Sequence, residues 1–520
     1  MATRLPPPKR IKLDNGVPLP IPEKNPSTPV SNIVVQFVSE DDGKPLAPAV
    51  NIPADFGRDG LEAMINKLSS KDEDPTPYAF HVNAPNPDDP KVITRILVSN
   101  SIQKDILEKP SSPYTPEDVI TVYCSPQAVF RVRPATRCSS TLSGHSSAIL
   151  CAAFSPTGNL LATGSGDNNA RLWNLDTETP SHTLIGHKGW VLCVEWEPTE
   201  KKLATGGHDG QVRLWDPKTG KLIGDVLVGH SKWITSLAWE PVHINPANPR
   251  LASSSKDGTV RVWNTTNRRL EYTLGSHTAS VNVVRWGGGS GKGALYTASS
   301  DRTVKVWDPS GRLLHTLKDH AHWVTTLALN TDFVLRTGPY DHTGKSSEAD
   351  DEVKYRAQKR YKDVTNNTPE LIISGSDDHT LFLWSVFGEH PLPGPNEPSN
   401  KVKPLSRLVG HQRQIAHVAF SPDGRWAASG AWDNSVRLWE GRTGKFVATL
   451  RGHVGPVYRL TWSADSRLLV SASKDSTIKI WNLKTNKIGS DLPGHTDEVY
   501  CVDFVADKIV SGGKDCVVKM

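Results

Sequence analysis

The chain has 520 residues, 37% of them hydrophobic and 22% charged, and 60 Lys+Arg against 55 Asp+Glu give a formal net charge of +5. That length exceeds one ordinary core, and the mild basicity is compatible with an RNA-rich setting without establishing one. No run of about 18 apolar residues exists and no apolar core follows the basic start, so neither a membrane span nor a secretory signal is expected.

In chain order, residues 1–28 are rich in Pro, Lys and Asn and are expected to form a disordered tail. Within them Pro8-Lys9-Arg10-Ile11-Lys12 is a short basic run of the nuclear-import type. Residues 29–133 read as a small α+β domain. A strand at Asn32–Phe37 leads through Asp41-Asp42-Gly43 to a second strand ending near Val50 and Ile52. Asp59 stands three residues before Glu62 as a helix cap, and Leu61, Met64, Ile65 and Leu68 make one apolar stripe. Strands follow at Tyr78–Val82 and Val92–Val98, then a helical stretch at Ile102–Glu108 and strands at Ile120–Tyr123 and Val129–Val132. The order strand, strand, helix, strands is that of a ubiquitin-like β-grasp fold.

From residue 134 the chain repeats itself. Gly-His pairs end at His145, His187, His230, His411, His453 and His495, mostly 42 or 43 residues apart, with looser copies at His277 and His320. Each copy holds short strands and turns and closes on a Trp. The sixth residue before each Trp is Asp and the tenth is Ser or Thr: Thr163, Asp167 and Trp173; Thr205, Asp209 and Trp215; Ser253, Asp257 and Trp263; and so on to Trp481. A final copy keeps Ser511 and Asp515 without a Trp. A period near 42 with a Gly-His start and a Trp-Asp end is the WD-repeat signature, each copy supplying one four-stranded blade. The fold expected is therefore mainly β, an eight-bladed propeller over residues 134–520 preceded by the small α+β domain. A hydrolase would need one His–Ser–Asp constellation rather than one per repeat, so these are expected to be buried polar groups satisfying one another. A strand before the first Gly-His should complete the last blade and close the ring.

One repeat is interrupted, since His411 lies 91 residues after His320. The insertions fall near 332–369 and 387–404. In the first, Val353, Ala357 and Tyr361 recur at helical spacing beside Lys354, Arg356, Lys359, Arg360 and Lys362. The second has five prolines and reads as an extended loop. Trp190, Trp233, Trp323, Tyr458 and Tyr500 each sit shortly after a His, and Lys256, Lys474 and Lys514 precede a turn aspartate while Arg302 follows one. These positions read as loops on one propeller face, either a basic, aromatic surface for protein or RNA or ordinary packing between blades.

The segment Tyr114-Thr115-Pro116-Glu117-Asp118-Val119, then Gln127-Ala128-Val129-Phe130-Arg131-Val132-Arg133 running into Cys138 and Gly144-His145, resembles the N-domain and junction of the Notchless family of ribosome-assembly factors. The resemblance implies a non-enzymatic factor of the nucleus and nucleolus. Its propeller would sit on the precursor of the large (60S) subunit, touching ribosomal proteins, other assembly factors or rRNA. Its ubiquitin-like domain would be gripped by the adhesion site of midasin, an AAA ATPase. It also implies that Glu117 completes the coordination of an Mg²⁺ held mainly by that partner, with Asp118 the rival ligand; no cofactor of the chain's own is expected, and a monomer is. Thr115-Pro116-Glu117-Asp118 reads equally as a helix start, with Thr capping and Pro at the first position. The competing class is a WD-repeat adaptor in ubiquitin-pathway or Notch-type signalling.

Overall fold

The computed structural model describes residues 32–39, 43–46, 48–68, 78–85, 93–98, 101–108, 114–115, 118–126, 135, 137–289, 291–340, 350–365, 369–387 and 402–520. Two compact units divide between Val129 and Phe130.

In the first unit, strands β1 (Asn32–Ser39), β2 (Val50–Pro53), β3 (Tyr78–Pro85), β4 (Ile93–Leu97) and β5 (Val119–Pro126) form one sheet in the order β2-β1-β5-β3-β4. The central pair β1–β5 is parallel and the other pairings are antiparallel. The alternation of β1 buries Ile33, Val35 and Phe37 on one face, and α1 (Arg58–Leu68) lays Leu61 and Ile65 on the same core with Ile120 and Val122. Asp59 lies inside α1 rather than capping it, because the helix already begins at Arg58. A π-helical turn, Gln103–Leu107, buries Ile106. The expected strand at 129–132 and the import-type run at 8–12 lie outside the described residues.

Among the described residues the second unit contains eight four-stranded antiparallel sheets. Blade 1 runs from Ile149–Phe154 inward to Thr179–Ile185 outward, and the series ends at blade 8, Val499–Val505, Lys508–Gly513 and Val517–Lys519. Blade 8 takes its outer strand from β6 (Thr141–Ser143), with Leu142 opposite Val518, and its inner strand packs on that of blade 1. The ring is thereby closed without a free central edge. Apolar clusters fill each blade-to-blade interface; Trp196, Trp239 and Trp462 each donate Nε1–H to a carbonyl of the preceding blade, at 2.9, 3.1 and 3.2 Å. The innermost strand of every blade slips register at its second residue, Tyr458 and Tyr500 among them.

The interrupted repeat is blade 5, whose insertion carries α2 (Asp332–Thr337) and α3 (Asp350–Thr365). Leaving blade 5, α2 crosses the axis of the ring: Arg336 donates to Asp503 of blade 8 at 2.9 Å, and Tyr340 Oη donates to Thr199 O of blade 2 at 3.1 Å. Helix α3 buries the Val353–Ala357–Tyr361 stripe, the first two against Val242 and the Tyr361 ring stacked on His243 at 4.5 Å. Residues 388–401 of the second insertion lie outside the described set.

Candidate functional site

The repeated polar residues meet inside each blade. In blade 1, His145 Nδ1 lies 2.8 Å from Asp167 Oδ2, its Nε2 lies 2.9 Å from Thr163 Oγ1, and Trp173 Nε1 donates to that Oγ1 at 2.9 Å. Blade 2 repeats this with His187, Asp209, Thr205 and Trp215, and blade 3 with His230, Asp257, Ser253 and Trp263. The set recurs at His277, His320, His411 and His453, and at His495 without a Trp.

Donor counting constrains the proton positions. Indole N–H can only donate, so each Trp donates to the hydroxyl; His Nδ1 faces a carboxylate, which only accepts, so Nδ1 carries a hydrogen and donates it to Asp. The hydroxyls carry no accessible path to a substrate: Thr163, Thr205 and Ser253 are fully buried. The histidine side chains of blades 1–3 are fully buried too. Burial pushes the His145, His230 and His495 imidazoles below their usual value, the aspartate opposing it. Burial pulls the Asp209 carboxyl up, but bonds from His187 and the Lys188 N–H outweigh it and leave it at about 2. This is a frame for tight turns, with each Asp also accepting backbone N–H groups of the loops.

The loop face above that frame is not uniform. In blades 2 and 3, Trp190 lies 6.0 Å from the His208 ring, His208 stacks on Trp233 at 4.8 Å, and Lys256 Nζ sits 4.1 Å over the Trp233 ring. Trp190 and Trp323 are 55% and 53% exposed. Tyr458 and Tyr500 correct the loop expectation. Both lie within inner strands, at the register slip, with rings 5.8 Å apart. The expectation of one basic surface is corrected as well. Lys474 pairs with Glu498 at 3.6 Å and Lys514 with Asp497 at 3.1 Å, so that sector is neutralised by acids the motif spacing did not weigh. Lys256 and Arg302 are exposed and form no ion pair among the described residues.

In the first unit, Glu117 and Pro116 lie outside the described residues, and the flanking ones describe a clasp. Asp118 Oδ2 accepts Thr115 N–H at 2.8 Å and Thr115 Oγ1–H at 2.7 Å, while Asp118 N–H donates to Thr115 O at 3.2 Å. Those bonds, the backbone one first, hold the Asp118 carboxyl below the usual carboxylate range. The helix-start reading is corrected: β5 begins at Val119, and the turn acid caps back onto Thr115 instead. Tyr114 Oη ties this turn to Asn83 O at 2.7 Å.

Sequence reasoning missed the anchor of α3. The Glu370 carboxylate, 3% exposed, accepts Tyr296 Oη–H at 2.6 Å, Tyr361 Oη–H at 2.9 Å, and the N–H groups of Gly288 and Gly289 at 2.9 and 3.1 Å. A Cβ at Gly287 would collide with Glu370 and one at Gly288 with Tyr361, so the run Gly287-Gly288-Gly289 is the one legible trace of that approach. Among the described residues no group of three His, Cys, Asp or Glu is placed to hold a metal.

Eight closed blades with this repeated frame define a WD-repeat propeller protein. Models of the WD domain, G-beta repeat, match residues 136–174, 178–216, 221–264, 268–308, 402–440, 444–482 and 486–520, and that of the NLE (NUC135) domain matches 33–89. The chain is 45% identical to Ribosome assembly protein 4 of Saccharomyces cerevisiae over 86% of its own length and 85% of the relative's. It is 45% identical to the Notchless protein homolog of Arabidopsis thaliana, covering 80% of this chain and 82% of that one. To Protein Notchless of Drosophila melanogaster the identity is 42%, over 74% and 73%. The crystal structure of the computationally designed Ika8 protein superposes with a TM-score of 0.57 at 26% identity, covering 74% of this chain and 98% of that one. The chain belongs to the Notchless family.

Proposed function

We propose that this protein is a non-enzymatic assembly factor for the large (60S) ribosomal subunit, acting in the nucleus and nucleolus. The propeller engages the precursor particle, and the N-terminal unit, read as ubiquitin-like, presents Glu117 to the adhesion domain of the AAA ATPase midasin for ATP-driven remodelling and factor release. The kinship with Ribosome assembly protein 4 over most of both chains carries this reading. The β2-β1-β5-β3-β4 order with its parallel central pair supports the ubiquitin-like assignment, since that is the β-grasp order. The Thr115–Asp118 clasp supports a division of labour between the two acids. Asp118 spends one oxygen on holding the turn, which leaves Glu117 as the carboxylate for the partner's Mg²⁺. Magnesium favours such an anionic oxygen.

The test is co-sedimentation of the tagged full chain through a gradient of cell extract. The reading predicts that it travels with large-subunit precursors and with midasin. Travel with ubiquitin ligases, proteasome components or a Notch-type receptor instead would replace it with the adaptor reading.

A further inference from the structure

The loop face divides into sectors of different charge. Around blade 8 the lysines are matched by Asp497 and Glu498, and Tyr458 Oη is bonded to Glu498 at 3.0 Å. At blade 5, His322 has Asp377 at 3.8 Å. Over blades 2–4 the balance is different. Lys188, Lys232, Lys256 and Arg302 are all exposed and form no ion pair among the described residues. Asp257 and Asp301, which adjoin Lys256 and Arg302 in sequence, are turned inward on His230 and His277, as Asp209 is on His187. Among these cations runs the Trp190–His208–Trp233–Lys256 series, in which each group braces the next at 4.1–6.0 Å. Trp233, stacked by His208 and topped by Lys256, serves as the keystone. Trp190, 55% exposed, ends the series as an open indole.

We propose that the blade 2–4 sector binds single-stranded RNA, a base stacking on Trp190 and phosphates engaging Lys188, Lys256 and Arg302. This deepens the assembly-factor reading and rests on it. Single strands are held by aromatic platforms flanked by a basic track, and stacking tolerates any base. Three of the four cations are lysines, point charges suited to phosphates spaced along a strand rather than to one forked carboxylate. An acidic peptide is the competing ligand.

The experiment titrates the full chain with a single-stranded oligouridylate of about ten nucleotides, with a blunt RNA duplex and with an oligoglutamate peptide, reading tryptophan quenching and the salt dependence of Kd. The single strand should bind tightest and quench. Trp190→Ala should weaken it roughly tenfold or more, with the melting temperature unchanged because the ring is exposed. Lys188→Ala with Lys256→Ala should lower the salt slope by about 0.7 per lysine. Lys474→Ala with Lys514→Ala should leave binding as in the parent. Parent-like binding by Trp190→Ala, equal affinity for the duplex, or tighter binding of oligoglutamate would each overturn the proposal. Such a result with sedimentation on large-subunit precursors intact overturns this inference alone. Absence of the parent chain from those precursors overturns the reading beneath it.

Discussion

Replacing Asp257 by Ala tests whether the repeated polar chain holds the blades. Its carboxylate accepts four bonds: His230 Nδ1 at 2.9 Å, Ser231 N at 3.1 Å, Thr259 N at 2.9 Å and Thr259 Oγ1 at 2.6 Å. Ser231 is exposed and Thr259 half-buried, so water can take over those donors. The His230 side chain has 0% exposure, so its Nδ1–H keeps only the longer contact to Thr259 Oγ1 at 3.3 Å and is left poorly satisfied. One buried unsatisfied donor costs about 1–3 kcal/mol. Urea unfolding followed by tryptophan fluorescence should show a lower midpoint with an unchanged slope. Ser253→Ala strands the other side of the same imidazole, so the double variant should lose less than the sum of the singles. An unchanged midpoint, or strict additivity, would refute the account of the frame as one coupled chain.

Acid should weaken the propeller. The imidazoles of His145, His230 and His495 are held below 6.5 by burial, so the unfolded chain takes up protons first and stability is lost as pH falls below about 6.5. Asp209, at about 2 against an ordinary 3.8, extends the loss across that lower window. A urea midpoint that rises between about pH 8 and about pH 5 would contradict this sign. Glu370→Gln puts an amide N–H₂ among four donors and should cost about 1–3 kcal/mol. The same change should speed proteolysis within α3, and a parent-like digestion pattern would show that Glu370 does not anchor it.

Features that repeat, or that keep a local period, were legible in the sequence. The frame could be read because buried His, Ser/Thr, Asp and Trp must find one another at fixed offsets in every blade. The Val353–Ala357–Tyr361 stripe could be read because a helix face recurs every turn. Long-range solutions could not. Glu370 meets Gly288 and Tyr296 across more than 70 residues, and Arg336 meets Asp503 across 167, with no motif to join either pair. The lysines at 474 and 514 looked free because their acids, Glu498 and Asp497, lie in the neighbouring repeat or ahead of its strand. Around Glu117, the local pattern suited a helix, while Asp118 turned back on Thr115 and the sheet claimed Val119.

The central claim is that a carboxylate of the N-terminal unit is gripped through magnesium by the remodelling ATPase. It is tested most directly by titrating the full chain against midasin's adhesion domain with and without Mg²⁺. Three chains are compared: the parent, Glu117→Ala and Asp118→Ala. The account predicts magnesium-dependent binding by the parent and none by Glu117→Ala. Asp118→Ala, having lost only the clasp on Thr115, should bind more weakly without losing its metal dependence. Metal-independent binding, or Glu117→Ala binding like the parent while Asp118→Ala fails, would contradict it.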